Sequence, residues 1–389
     1  MSDFAYFKDY SGINAVGLPF NLDAMIEDWQ RLQRAMAKAP NPAFSRTEWA
    51  YLIQFVDPNA LRNVFSSAFG EQTPIGSANC LLTPVSRVAL WLPNNVSLLG
   101  PLVMVLVSLT GAEMRVKVGS RSRNLFVALL DWLRTRASDG PLKEWLENCV
   151  TAAEFDRHDS RNADMAAWAD VRILFGSDAA ASGVESLPHP YASRAFYFGE
   201  KVSEAWVEAS RIDRPLASEL ARVFSVYGQA GCTSPKRVVI IDGTEADADT
   251  LARELLNVWP TTEPEIPPRH VASEAIMADH WARAIGKRAV RLPSNAGALI
   301  LEPAASITVQ GHMALGLQWG SLEDTLRTQS PNIQSIGHAV AMPDHPRWQA
   351  AMARSAATRF VQLGKLHHFD GVWDGLPWWQ NLFQRKVMQ

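Results

Sequence analysis

The feature that most constrains this chain is an alternation of short, mainly apolar runs with helical patterns. Residues 88–92 (VALWL) read as a buried strand, and Pro93-Asn94-Asn95 turns the chain into an apolar helix over 96–109. Residues 114–118 (MRVKV) form the next expected strand. Ser122 is placed to cap a helix carrying Leu125, Leu129 and Leu133, and residues 171–175 (VRILF) give a third strand, followed by Gly176-Ser177. Short runs buried on both faces belong to parallel sheets, and strand–helix repetition predicts an α/β, doubly wound architecture. In such sheets ligands bind beyond the carboxyl ends of the strands. That rule singles out Asn94, Asn95, Lys117, Gly119, Ser120, Gly176 and Ser177 before any chemistry is considered.

A second α/β unit starts near Lys201. A helix from Pro215 carries Leu216, Leu220, Val223 and Phe224 and stops at Gly228. A strand over 238–242 (VVIID) follows, then a helix through Leu251, Leu255 and Leu256, a proline-rich connector at 261–269, and strand-like runs at 298–301 and 314–317. Ser321 caps a short expected helix over 321–326. Ahead of the first strand, Asn21 is a suitable cap for a helix whose Leu22, Met25, Ile26, Trp29, Leu32 and Met36 share a face. The tail, 360–389, is apolar enough to pack on a core. A length of 389 residues predicts two or three domains.

Composition narrows the function. With 47% apolar residues the chain is not disordered, and a net charge of −3 gives it no electrostatic reason to seek nucleic acid or an acidic membrane. No basic stretch precedes an apolar one at the N-terminus, so no secretory signal is visible. Residues 96–110 are apolar but short of a span of about 20 and interrupted by Ser97, Pro101, Ser108 and Thr110, so a buried helix is expected there rather than a membrane one. The 14 Trp and 16 Phe are expected mainly in the core, with a share left for an apolar pocket. Cys80, Cys149 and Cys232 are too scattered for a disulfide framework or a zinc site. A reducing, cytoplasmic setting is therefore expected, and one thiol is left to react.

Cys232 is the candidate. It sits in Gly228-Gln229-Ala230-Gly231-Cys232-Thr233-Ser234-Pro235, after a helix end and before a strand, where small neighbours let another molecule reach the sulfur. Cys149 lies on a Trp/Leu-rich helix and Cys80 heads an apolar run, so both are read as packing residues. His270, His280 and His312 are distant as partners for a thiol. His367-His368 has only Asp370 close by, and no metal site is expected.

These segments resemble the aldehyde dehydrogenase superfamily and, within it, the LuxC-type acyl-CoA reductases. Residues 92–96 (LPNNV) resemble the family's strand–Asn–helix segment, 116–120 (VKVGS) its lysine-bearing strand end, 175–177 (FGS) its dinucleotide-contacting turn, and 228–235 its nucleophile loop, with one extra residue before the cysteine. Residues 359–364 (RFVQLG) and Trp373-Asp374-Gly375 resemble the ending of the LuxC-type members, and 331–337 resemble one of their strands less closely. The likeness runs over about 85–380.

The resemblance implies a dinucleotide-binding domain at 1–199, with 365–389 returning to it, and a catalytic domain at 200–364. It implies Cys232 as the acyl-accepting nucleophile, and Asn95 with the Cys232 amide as donors to the oxyanion. Lys117 is expected on the cofactor ribose, with Gly176 and Ser177 against the dinucleotide. Aldehyde-oxidising members carry a glutamate base upstream of the cysteine. Aligning Lys201 with that motif puts Tyr197 in its place, with Glu200 nearby, which favours reduction of an acyl thioester on CoA or an acyl carrier protein. An oxidative aldehyde dehydrogenase and a non-catalytic homologue that binds an acyl carrier are the alternatives. Where NAD-preferring members place a carboxylate, three residues after the lysine, this chain has Ser120, followed by Arg121 and Arg123. NADPH is thus the expected cofactor and NADH the alternative. Nothing in these residues excludes a homo-oligomer.

Overall fold

The computed structural model describes residues 5–6, 15–69, 79–119, 123–229, 231–263, 267, 269–304 and 313–388. It divides into two compact units, one of Met1–Gly199 with Phe369–Gln389 and one of Glu200–His368. Residues 365–368, expected with the returning tail, belong to the second unit, where His367 is bonded to Thr233 and to the Val223 carbonyl.

The first unit holds a five-stranded parallel sheet in the spatial order Val150–Glu154, Glu113–Val118, Arg87–Trp91, Val171–Phe175, Arg194–Phe198. The chain starts in the middle, winds to one edge, then returns and winds to the other, which makes a doubly wound α/β sheet. The three apolar strands stand where their pattern places them. The two outer strands escape that pattern. In Val150–Glu154 only Val150 is buried, and Arg194–Phe198 alternates between half-buried and buried residues.

The apolar segment is helical over Leu99–Ser108, three residues later than expected, and its residues from Gly100 to Ser108 are all buried. A helix apolar all round is a core helix, and no helix among the described residues is long and apolar enough to cross a membrane. Two indoles from distant parts of the chain are pinned to it. Trp29 Nε1 donates to Ser108 Oγ at 2.9 Å, and Trp379 Nε1 donates to the Leu106 carbonyl at 2.8 Å. Trp29 comes from the helix Leu22–Lys38, where Asn21 is the N-cap and all six expected face residues are buried. Ser122 lies outside the described residues, and Asn124 stands at the cap position of helix Leu125–Arg136. The final strand, Phe383–Met388, pairs antiparallel with Asn79–Pro84 in a separate four-stranded sheet. Ten of the 14 tryptophans are buried.

The second unit is a seven-stranded sheet in the order Arg288–Arg291, Ala298–Pro303, Ala314–Gly320, Pro235–Ile241, Val202–Glu208, Ile333–Ala339, Arg359–Gln362. Only the first pairs antiparallel. Helices Arg214–Ser225 and Glu245–Thr262 bury Leu220, Phe224, Leu251 and Leu255 against one face. Trp348 from helix Pro346–Arg354 packs with Trp206 and Ile336 on the other. The short helix is Leu322–Arg327, with Ser321 Oγ accepting from the Asp324 amide.

Val202–Glu208 has no apolar signature because polar residues fill its core positions. Glu204 is buried and bonded to Arg237 Nε at 2.6 Å on the neighbouring strand. The guanidinium also donates to Gln318 Oε1, to Thr328 Oγ1 and to the Thr325 carbonyl. Gln318 donates onward to Glu302, which binds Lys287. Trp206 Nε1 and Gln329 Nε2 each donate to Glu204 Oε1 at 2.7 Å. Taking charges out of water is costly, and partners this complete offset that cost. Arg237→Leu should therefore destabilise the protein by about 3–5 kcal/mol, because it strands a buried carboxylate. Urea unfolding followed by tryptophan fluorescence measures this, and a loss below about 1 kcal/mol would remove the network from any structural role.

Candidate active site

In the first unit Lys117, Gly176 and Ser177, three of the expected cofactor residues, fall at the carboxyl edge of the sheet. Lys117 ends the strand Glu113–Val118 and pairs with Trp91, which also pairs with Leu174. Asn94 and Asn95 follow the central strand, and Gly176-Ser177 follow its neighbour. The carboxyl ends of these two adjacent strands form the point where the winding reverses, the place where such sheets bind ligands. A pocket opens on the other side of the central strand, at the carboxyl end of the strand Glu113–Val118, lined by Leu92, Pro93, Val96, Val118, Gly119 and Arg123 among others. A Cβ on Gly119 would stand 2.2 Å from Asn94 Oδ1, displacing that side chain, and a tight 3.2 Å from the Pro93 carbonyl oxygen.

Lys117 is half-buried, and its Nζ lies 5.6 Å from the centre of the Phe155 ring. Burial pushes its ammonium below the ordinary lysine range, against the opposing pull of Asp156 and Glu154. Asn95 is exposed. Ser177 caps the helix Asp178–Glu185, its Oγ accepting from the Ala180 amide at 3.2 Å, and the Gly176 amide donates to the Phe198 carbonyl.

Two expectations about the phosphate end meet different outcomes. Ser120 and Arg121 lie outside the described residues. Arg123 is engaged within the fold, where its Nη2 lies 3.0 Å from Glu48 Oε2 and also donates to the Ala43 carbonyl. Glu48 is itself the capping-box residue of helix Arg46–Phe55. Tyr197 sits on the strand Arg194–Phe198 with its hydroxyl donating to Glu185, and burial pushes its phenol further above the ordinary range, so it is no base. Glu200 is exposed.

The second unit carries Cys232, just before the amino end of the strand Pro235–Ile241. The rule of carboxyl ends does not find it. Its loop is pinned on both sides. Gly228 and Gln229 adopt φ of +59° and +61°, a conformation costly for glutamine. The buried Gln229 side chain offsets that cost. Its Nε2 donates to the Pro235 and Ala314 carbonyls at 2.9 and 2.8 Å, and its Oε1 accepts from the Ala314 amide. It thus bridges the loop to the strand Ala314–Gly320 as a backbone would. Ser203 Oγ donates to the Cys232 carbonyl at 2.8 Å. Lys236 Nζ donates to the Gln229 carbonyl, and burial pulls its ammonium down to about 8.

His367, set aside as a metal ligand, lies against this loop. Its Nδ1 is 2.7 Å from Thr233 Oγ1 and its Nε2 is 2.8 Å from the Val223 carbonyl. Among the described residues no group of three or more His, Cys, Asp or Glu could hold a metal. Sequence reasoning missed the roles of Ser203, Gln229, Lys236 and His367. Only Gln229 carried a signal, through its place in the loop motif. The Cys149 thiol is raised by burial, as fits a packing residue, and Cys80 lies on the strand Asn79–Pro84. Trp373-Asp374-Gly375 proves to be structural. Asp374 and Gly375, at φ +52° and +73°, form the two-residue turn between mutually bonded Trp373 and Leu376, and Trp373 packs on Phe369.

The model of the LuxC acyl-CoA reductase family matches residues 27–385, and the chain belongs to that family of oxidoreductases acting on acyl or aldehyde groups. A search of curated proteins finds no match. Among solved structures, succinic semialdehyde dehydrogenase from Streptococcus pyogenes, in complex with NADP+, is similar at a TM-score of 0.68 and 11% identity, over 95% of this chain and 90% of that one. An aldehyde dehydrogenase from Bartonella henselae matches at 0.65 and 13%, over 94% and 85%. Betaine aldehyde dehydrogenase from Staphylococcus aureus, in complex with NAD+, matches at 0.64 and 12%, over 94% and 81%. At such identities the likeness is one of fold, and the fold is that of the aldehyde dehydrogenases.

Two outcomes test the loop. Gln229→Ala orphans three buried backbone groups and should cost about 3 kcal/mol or more. An unchanged urea midpoint would show that the side chain holds nothing. Lys236 has a pKa of about 8 when folded against 10.5 as the ordinary value. Between those values the unfolded chain holds a proton that the folded one has lost, so stability should rise with pH from about 8 to about 10.5. The difference in stability between wild type and Lys236→Met should follow that rise. A difference independent of pH would mean that the amine is not desolvated.

Proposed function

We propose that this chain reduces an acyl thioester, carried on CoA or an acyl carrier protein, to an aldehyde, with NADPH as reductant and Cys232 as nucleophile. The observation that carries the reading is Cys232 itself, on a loop pinned by Gln229, Ser203 and Thr233 in a chain of the acyl-CoA reductase family. The Cys232 thiolate attacks the thioester carbonyl and forms a C–S bond. Asn95 and the Cys232 amide are the proposed donors to the oxyanion. Collapse breaks the carrier's C–S bond and expels its thiolate, a good leaving group that needs little acid assistance. The acyl-enzyme then accepts hydride and expels the Cys232 thiolate as the aldehyde forms.

A nicotinamide cofactor fits the residues present. Asn94, Gly119 and Lys117 stand together at the carboxyl ends of adjacent strands, with Lys117 placed for a ribose. When bound, the cofactor supplies the hydride. Gly176 and Ser177 lie at the reversal of winding, where its phosphates are proposed to rest. The engaged Tyr197 supports reduction over hydrolysis, because it offers no carboxylate to activate water. The choice of NADPH rests on Ser120 and Arg121, since Arg123 already serves Glu48.

Cys232→Ala should abolish both the acyl-enzyme, seen by mass spectrometry after incubation with acyl-CoA alone, and aldehyde production. A persisting adduct would move the nucleophile elsewhere. Asn95→Ala should lower kcat by on the order of 10²–10³, whereas unchanged turnover would leave Asn95 a turn residue. Arg121→Ala should reduce the ratio of kcat/KM for NADPH over NADH by about ten- to a hundredfold, the worth of a charge-assisted hydrogen bond. Arg123→Ala should leave that ratio in place. A wild-type enzyme that prefers NADH would overturn the cofactor assignment.

A further inference from the structure

We infer that His367 is a positioning residue for the nucleophile, holding Cys232 in place through the hydroxyl of Thr233. The inference rests on the reading of Cys232 as the nucleophile. The hydrogen bonds dictate the proton positions. The Val223 carbonyl can only accept, so Nε2 of His367 carries a hydrogen and donates to it at 2.8 Å. In the neutral ring Nδ1 then holds a lone pair, and the Thr233 hydroxyl, 2.7 Å away, is the donor. Burial favours that neutral ring by pushing the imidazole below its ordinary range, and Arg359 pushes the same way.

Each end of the imidazole has separate work. Val223 lies near the end of helix Arg214–Ser225, where carbonyls lack intrahelical partners, so Nε2 serves as a side-chain cap. Nδ1 fixes the hydroxyl of the residue next to Cys232. The ring is aimed from behind by Arg359, which donates to the Leu366 carbonyl at 3.2 Å and to the His368 carbonyl at 2.9 Å, on both sides of His367. A short 3-10 helix, Leu363–Lys365, brings the chain to that point. Together with the Ser203 bond to the Cys232 carbonyl, two consecutive residues of the loop are tied to elements far away in sequence. Such restraint is what a nucleophile needs, since misplacing a reacting atom by about 1 Å can cost on the order of 10²-fold in rate.

Side-chain replacements separate the two ends. His367→Gln keeps a donor near the place of Nε2 and loses the acceptor at Nδ1. His367→Asn keeps an acceptor near Nδ1 and loses the cap. Thr233→Val removes the hydroxyl alone and leaves the cap untouched, so it carries the test even where a His367 variant fails to fold. Two rates are measured in the full chain: alkylation of Cys232 by iodoacetamide, and single-turnover acylation by acyl-CoA.

Thr233→Val and His367→Gln should each slow both rates roughly ten- to a hundredfold, with KM for the thioester unchanged. His367→Asn should stay within a few-fold of wild type, despite a lower melting temperature. The double variant Thr233→Val/His367→Gln should be no slower than either single one, because both remove the same bond. Unchanged rates in Thr233→Val, multiplying losses in the double variant, or equal damage from Asn and Gln would each overturn the inference. Alkylation involves no thioester. A wild type that is alkylated at Cys232 but never acylated would defeat the proposed reaction, while the alkylation series still decides the role of His367.

Discussion

The ion pair between Arg237 and Glu204 is the interaction on which the second unit depends. Two charges taken out of water at the centre of a parallel sheet are tolerable only with every remaining donor and acceptor matched. Here Gln318, Glu302, Lys287, Trp206, Thr325, Thr328 and Gln329 complete the set. With Arg237 and Glu204 themselves the network spans four adjacent strands and the chain around helix Leu322–Arg327, so it locks the relative register of those strands. Arg237 is five residues beyond Cys232 on the strand that the nucleophile loop enters. Gln229 continues the same principle at the amino end of the sheet, where a side-chain amide stands in for a missing length of backbone. Cys232, the proposed nucleophile, is therefore held on a tied loop rather than on a loose connection.

How much of this was legible in the sequence depends on what filled each strand. Arg87–Trp91, Glu113–Val118 and Val171–Phe175 were readable because their buried positions, Arg172 excepted, are apolar. Val202–Glu208 was not, because Ser203 and Glu204 occupy buried positions for reasons visible only once their partners are in place. Edge strands such as Val150–Glu154 bury too little to leave a pattern. The site divides the same way. Cys232, Lys117 and the Asn94-Asn95 turn stand out as residue types at strand boundaries. His367 lies more than a hundred residues from Thr233, and no spacing rule reaches it.

Resemblance carried the assignment further than geometry, and the two met unevenly. Lys117, Gly176 and Ser177 lie at the carboxyl ends of strands of one sheet, and the chain at Gly119 passes close to Asn94. Arg123 shows the limit of reading charge from sequence alone, since a cation near a site can already be committed to its own fold. Trp373-Asp374-Gly375, read only as a family resemblance, makes a tight turn.

The first unit is discontinuous in the chain, and its buried helix Leu99–Ser108 receives Trp379 from the far end. A ribosome delivers Glu200–His368 before it delivers that tryptophan. At about 5–20 residues per second, the helix waits roughly 15 to 55 seconds with one flank bare, while the continuous second unit emerges whole. During synthesis, then, the later-encoded unit can finish first. The nascent protein meanwhile exposes an apolar seat that a chaperone must shield or a neighbouring chain can occupy.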